Sequence, residues 1–221
     1  MMPSGGPGAA ETVASPRRTA LERWVLARAG VAEVSALPQR QLEALRATVS
    51  RARRLSPFYR ERLSGMEAAE LRSPAEVARL PLTSADDVRA HGPRMLCVSP
   101  AEVERIVTLP TSGTTGTPKR IHFTADDQEL TVDFFHHGMS VLIGPGRRVL
   151  ILLPGERPGS VGDLLRRGLA RMDVEGVVHG PVVDPERALR VLHEGGFHCV
   201  VGIPVQVLGL ARRDAASGAP V

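Results

Sequence analysis

Two hydrophobic rhythms divide the chain. From residue 19 to about residue 90, apolar positions recur three and four apart, as in Leu42, Leu45 and Val49, which predicts helices. Thr19 followed by Glu22 reads as a capping box, with Leu21, Trp24 and Val25 on one face and Gly30 as the stop. Ser73-Pro74-Ala75-Glu76 and Ser99-Pro100-Ala101-Glu102 each set a cap, a first-turn proline and a capping acid in order. After residue 103 the rhythm changes. Short apolar runs at 103–109, 148–153, 176–179 and 198–203 read as strands. Between them the pattern predicts helices over 124–142, after Ser160, from Asp184-Pro185 to Gly195, and from Pro204 onward. Strands of this kind, alternating with capped helices, belong to a parallel sheet covered on both faces. Four such units in series predict a doubly wound α/β arrangement. Its ligand site is expected near the carboxyl ends of the strands. The chain therefore divides into a disordered lead-in rich in Gly, Pro, Ala and Ser (1–16), a helical region (17–102) and an α/β region (103–221).

Composition narrows the classes. With 43% hydrophobic residues in 221, the chain can bury a core, but aromatics make up only 3%, so that core rests on Leu, Val and Ala. The pI of about 10.0 reflects arginine usage, and a net charge of +4 demands no polyanionic partner. The arginines at 46, 51, 53, 54, 60 and 62 read as a solvated helix face with little aromatic interleaving. Neither nucleic acid nor membrane is expected as a partner, since no run approaches the ~18 apolar residues of a spanning helix. Cys97 and Cys199 lack metal-site spacing and read as reduced thiols of a cytoplasmic protein, with no metal site.

Candidate chemistry concentrates at residues 110–119, PTSGTTGTPK, which hold the single lysine of the chain. Gly113 and Gly116 permit backbone angles and close approaches that a Cβ forbids. Thr111, Ser112, Thr114, Thr115 and Thr117 supply hydroxyls, and successive N–H groups can form an anion-binding concavity. Lys119 adds a compact point charge where every other cation is a guanidinium. A polyphosphate fits this set. The stretch is not a Walker A loop: its glycines lie three apart, and Pro118 before the lysine disfavours a helix start. A turn or hairpin is the expected geometry.

PTSGTTGTPK resembles the phosphate-binding motif of the adenylate-forming enzymes, the superfamily of acyl-CoA synthetases and of peptide-synthetase adenylation domains. SPFYRERL at 56–63 and LPLTSADDVR at 80–89 resemble the phenylacetate-CoA ligase branch. The resemblance implies a helical N-terminal region followed by a doubly wound, mainly parallel sheet, incomplete relative to the full adenylate-forming N-terminal domain. It implies a two-step ligation, in which a carboxylate attacks the α-phosphate of ATP and coenzyme A then displaces AMP. ATP with Mg2+ and an aryl or arylacetic acid are the implied reactants. Ser112, Gly113, Thr114, Thr115 and Gly116 would hold the β- and γ-phosphates, with Lys119 neutralising them. The family also carries an aromatic-Gly-x-Thr-Glu stretch, a ribose-binding Asp and a C-terminal adenylation lysine. These are absent, so the expectation is an N-terminal portion, inactive in isolation, with no catalytic residue assigned.

Weaker candidates remain. His136 and His137 cannot share a direction, so one could border an acyl pocket and the other be solvated or satisfied. Val132, Phe135, Met139 and Leu142 read as the core face of that helix. In LPGERPGSVGD, 153–163, glycines surround a Ser160 cap, which reads as an anion site or as a plain strand-to-helix connection. Gly202, Ile203, Pro204 and Gln206 sit at a strand end where related ligases line the substrate and adenine site, or simply where a helix begins. Two further classes stay open: a non-catalytic nucleotide-binding or interaction module, and a basic RNA-associated protein.

Overall fold

The computed structural model describes residues 17–109 and 118–217. The lead-in 1–16 and residues 111–117 of the glycine-rich stretch lie outside them.

Four α-helices precede the first strand: α1 (Ala20–Ala29), α2 (Leu37–Leu55), α3 (Pro57–Arg62) and α4 (Ala85–His91). Their ends follow the caps in the sequence. Thr19 Oγ1 accepts from the Glu22 N–H at 3.1 Å while the Glu22 carboxylate takes the Thr19 N–H at 2.6 Å, and Gly30 closes α1 at φ 68°. Within α1 it is Leu26 that is buried, and Val25 is exposed. Leu42 and Val49 of α2 pack with Leu63, Ala68 and Leu71 into a small core, as their spacing predicts.

The segments SPFYRERL and LPLTSADDVR meet in space. Ser56, fully buried, donates to the Arg94 carbonyl at 2.9 Å and caps α3 by accepting from the Tyr59 N–H. Tyr59 Oη lies 3.1 Å from Thr83 Oγ1, and Arg62 donates to the Leu82 carbonyl at 2.6 Å. The arginine-rich stretch is also committed internally. Arg46 bonds the Leu71 carbonyl, Arg51 the Cys97 carbonyl, and Arg53 pairs with Glu67 at 2.9 Å. These cations brace the helical region.

Nine strands and helices follow: β1 (Val103–Leu109), β2 (Lys119–Thr124), α5 (Ala125–Met139), β3 (Arg148–Leu152), α6 (Val161–Ala170), β4 (Glu175–Val178), α7 (Pro185–Glu194), β5 (Cys199–Gly202) and α8 (Pro204–Ser217). The parallel sheet has the order β4-β3-β5. Its central strand is buried from Val149 to Leu152: Val149 and Ile151 face α5 and α6, while Leu150 and Leu152 face α7 and α8. The β3–α6–β4 and β4–α7–β5 crossovers thus lie on opposite faces, which makes the sheet doubly wound. At the amino ends, Arg148 clamps β4 through two bonds to Glu175, at 2.8 and 3.2 Å, and stacks over Phe197.

Two expectations are corrected. The first strand does not join the parallel sheet. Instead β1 pairs antiparallel with β2, a separate strand that the polar Lys-Arg start of KRIHFT had hidden. The parallel sheet therefore has three strands among the described residues, not four. Helix α5 ends at Met139, so Leu142 lies beyond it, 73% exposed, while Val132 and Met139 are buried. Gly138 and the following turn, in which the Leu142 and Ile143 N–H groups bond the Met139 carbonyl, stop the helix early.

Candidate functional site: a glycine-rich hairpin beside the sheet's carboxyl ends

The β1–β2 ladder runs from Val103↔Thr124 to Leu109↔Lys119. Leu109 and Lys119 therefore lie side by side, and Lys119, half-buried, is the first paired residue of β2. The expected phosphate-gripping residues Thr111, Ser112, Gly113, Thr114, Thr115, Gly116 and Thr117 lie outside the described residues, and the hairpin ladder fixes only where their stretch is anchored.

A register shift between Val103 and Arg105 interrupts the ladder. Such a bulge re-aims the side chains that follow it. Val103, Arg105 and Val107 are half-buried on one side, whereas Glu104, Ile106 and Thr108 face outward. Arg105 thereby reaches across to the loop after β3, where Nη1 donates to the Pro158 carbonyl at 2.6 Å. This contact ties the hairpin to the carboxyl end of the parallel sheet.

That end holds a cavity of about 330 Å3. The loop after β3 supplies Pro154, Gly155, Glu156, Arg157 and Ser160, the end of β4 supplies Gly180 and Pro181, and β1 supplies Arg105. The connection after β3 leaves toward one face and those after β4 and β5 toward the other, the arrangement that opens a crevice in doubly wound sheets. The floor is tightly organised. Asp163, nearly buried, accepts from the Gly159 N–H at 2.9 Å and from Arg166 at 2.6 Å. Burial pushes its carboxyl up, but the Gly159 bond and the Arg166 charge overcome this and hold it below the usual range. Gln128 of α5, buried, packs on Gly159.

The stretch 153–163 behaves as a connection. Ser160 turns its hydroxyl back to the Arg157 carbonyl at 2.5 Å, and the Gly162 N–H is taken by the Pro154 carbonyl at 2.7 Å. The N–H groups an anion would need at this helix start are spoken for at Gly159 and Gly162.

The histidines lie elsewhere. His136 is two turns beyond Gln128 on α5, roughly 12 Å along the helix axis. His137 packs against Trp24 of α1, ring centroids 5.7 Å apart, and Trp24 also meets Phe134 at 6.2 Å. Burial lowers the His137 pKa, the neighbouring His136 adds to this, and Asp133 opposes it. Gly202 closes β5 opposite Leu152, and Pro204 opens α8. Ile203 is exposed, and Gln206 Oε1 lies 3.5 Å from the Val182 N–H. These four residues share the carboxyl end of the sheet with the cavity but do not line it.

Arg105, Gln128 and Asp163 were missed by sequence reasoning. Arg105 had a visible signal: in VERIVTL the charged residue sits in phase with Val103 and Val107, on the side a strand buries. Gln128 and Asp163 had none beyond polarity within a helix.

No protein-family profile matches the chain. Over 99 residues it is 36% identical to phenylacetate-coenzyme A ligase of Pseudomonas putida, an alignment covering 43% of this chain and 22% of that protein. Among solved structures, 2-hydroxyisobutyryl-CoA ligase in complex with 2-HIB-AMP and CoA superposes with a TM-score of 0.69 at 20% identity, over 84% of this chain and 41% of the ligase. The same ligase in its postadenylation state superposes at 0.69 over 96% of this chain and 45% of its own, at 17% identity. The chain thus spans about a fifth of the curated relative and less than half of these ligases. The sequence match and the shared fold together relate this chain, over part of their length, to the adenylate-forming acyl-CoA ligases.

Proposed function

We propose that the chain supplies the nucleotide-gripping part of an AMP-forming carboxylate–CoA ligase. In this reading the α/β region 103–221 is a partial AMP-binding domain, and the helical region 17–102 is its brace. The observation that carries it is the hairpin: the hydroxyl- and glycine-rich stretch closes a ladder whose first residue on re-entry is Lys119.

In the first step, a carboxylate oxygen of the acid bonds to the α-phosphorus of ATP, and the bond to the bridging oxygen breaks, releasing pyrophosphate. In the second, the thiolate of coenzyme A attacks the acyl carbon and AMP leaves with the bonding pair. Residues 111–117 and Lys119 act on the first step. They hold the β- and γ-phosphates in line and neutralise the charge that grows on departing pyrophosphate. Mg2+ would accompany ATP and offset charge on its phosphates, beside Lys119. Gly202, Ile203, Pro204 and Gln206 would border the acid and adenine, and His136 or His137 an outer part of the acyl pocket. The acid is aryl or arylacetic by the branch resemblance. Reliance on ATP and coenzyme A suits a cytoplasmic protein.

Calorimetric titration with Mg·ATP tests the phosphate grip. Lys119→Ala is expected to weaken binding at least tenfold with an unchanged melting temperature, and Lys119→Arg to restore it only in part. Equal affinity in all three proteins would remove the phosphate role. Tighter binding of a non-hydrolysable acyl-adenylate analogue than of AMP alone would favour the ligase reading over a non-catalytic nucleotide-binding module, since the isolated chain is expected to lack pyrophosphate exchange in either case.

A further inference from the structure

The two-stranded ribbon that carries Lys119 shares no ladder with the parallel sheet, so side chains set how it lies against the sheet's carboxyl ends. Arg105 makes the junction. Its Nη1 donates to the Pro158 carbonyl at 2.6 Å, and a Cβ on Gly159 would lie 2.9 Å from its Cδ. Buried Gln128 of α5 meets the same side of Gly159, which brings ribbon, loop and helix to one point. The junction carries opposing terms. The bond at Nη1 favours it, whereas Nε is buried with no acceptor among the described residues, which disfavours it. The register shift between Val103 and Arg105 lies directly ahead, where a bulge lets the strand bend while the ladder from Ile106 to Leu109 stays paired. A junction with terms of both signs is readily shifted by a ligand that restrains the ribbon.

We propose that Arg105 is a positioning residue that couples a nucleotide held at the Lys119 end of the ribbon to the loop 154–160 after β3. This coupling rests on the phosphate-grip reading and adds a second loop to it. Lys119 pairs with Leu109, four ladder positions from Arg105 and roughly 13 Å along the strand. Arg105 therefore acts through the ribbon and not on the phosphates. A nucleotide that restrains the ribbon favours the Arg105–Pro158 bond, and that bond restrains the loop, which walls the cavity of about 330 Å3. Such coupling is reciprocal: the factor by which nucleotide favours the ordered loop is the factor by which the ordered loop favours nucleotide. Three amides report the state of the loop. The Gly159 N–H bonds Asp163, the Ser160 N–H the Arg157 carbonyl, and the Gly162 N–H the Pro154 carbonyl. Each exchanges its proton only when the loop opens.

Hydrogen exchange read by mass spectrometry on the full 221-residue chain, with and without saturating Mg·ATP, tests the coupling alongside calorimetric titration. In the unsubstituted chain Mg·ATP should slow exchange across 159–162 by roughly fivefold or more. Arg105→Met should abolish that slowing and weaken Mg·ATP by no more than about the same factor. Arg105→Lys, which can still donate to the Pro158 carbonyl, should restore part of both. A merely structural Arg105 would speed exchange equally with and without nucleotide, so the nucleotide-dependent difference separates the two roles. Bound Mg·ATP with unchanged exchange across 159–162, or full slowing in Arg105→Met, overturns the proposal. The unsubstituted chain alone can overturn it, and Arg105→Gln, with the same expected loss, serves where Arg105→Met fails to fold. No binding of Mg·ATP overturns the phosphate-grip reading and the coupling together, whereas binding without slowing overturns the coupling alone.

Discussion

At the scale of single residues, Gly159 shows how the site's geometry is held. Its φ of +70° lies in the left-handed region, and a Cβ there would collide with Gln128 Oε1 and lie 2.9 Å from Arg105 Cδ. Gly159→Ala should cost about 2–4 kcal/mol, combining left-handed strain with overpacking. Gly209 in α8 is the opposite case: no atom lies within 4 Å of a Cβ there, so Gly209→Ala should stabilise by about 1 kcal/mol. Thermal unfolding of the two variants should therefore shift in opposite directions, and a shift of the same sign in both would contradict this account. Arg105 was legible only in part. Its phase in VERIVTL marks it as inward-facing, but what it meets there, Pro158 and Gly159, comes from a loop more than 50 residues away, which no local pattern encodes.

Elements were the most legible scale, because their ends are set by neighbours in sequence. The residues Thr19, Thr124 and Asp184 each accept backbone N–H bonds at the start of the helix they precede. How elements dock was not legible, and α1 on α5 is the clearest instance. Trp24 packs on Phe134 and on half-buried His137, with the Arg28 guanidinium over its ring at 5.3 Å. His137 titrates below its ordinary value of 6.5 because burial, then His136, disfavours its charged form. The folded state thus prefers neutral His137. This contribution to stability is complete above pH 6.5 and is lost as pH falls through the unfolded value toward the lower folded one. Trp24 is the only tryptophan in the chain, so its fluorescence reports directly on this contact. Acidification below pH 6.5 should change the emission before global unfolding, and His137→Gln should flatten that change. An identical pH profile in the variant would show that His137 does not control the docking of α1.

At the scale of the whole molecule, the sequence pattern carried the class of the fold but not its connectivity. Buried runs such as RVLIL announce a strand covered on both faces, and Arg148–Leu152 is one. The run VERIVTL carries the same apolar weight, yet it pairs antiparallel with a strand that begins Lys-Arg and stands apart from the three-stranded sheet. Apolar content cannot distinguish the two, because pairing depends on what lies across from a strand. The SPFYRERL and LPLTSADDVR phrases gain a physical reason for occurring together: Tyr59 with Thr83, and Arg62 with the Leu82 carbonyl and Asp87, lock α3 against the segment leading into α4. They brace the helical region.

The solitary lysine at the hairpin's re-entry also makes the chain a natural two-piece puzzle. A lysine-specific endoprotease has one peptide bond to cut, after Lys119, and the cut separates β1 from nearly all of β2. The halves should stay together under native conditions, because Trp24 on α1 grips α5, and Arg105 spans the break to Pro158. Added Mg·ATP should slow the appearance of the two bands on a denaturing gel, and indifference of the digestion rate to nucleotide would contradict a ligand gripped at this hairpin.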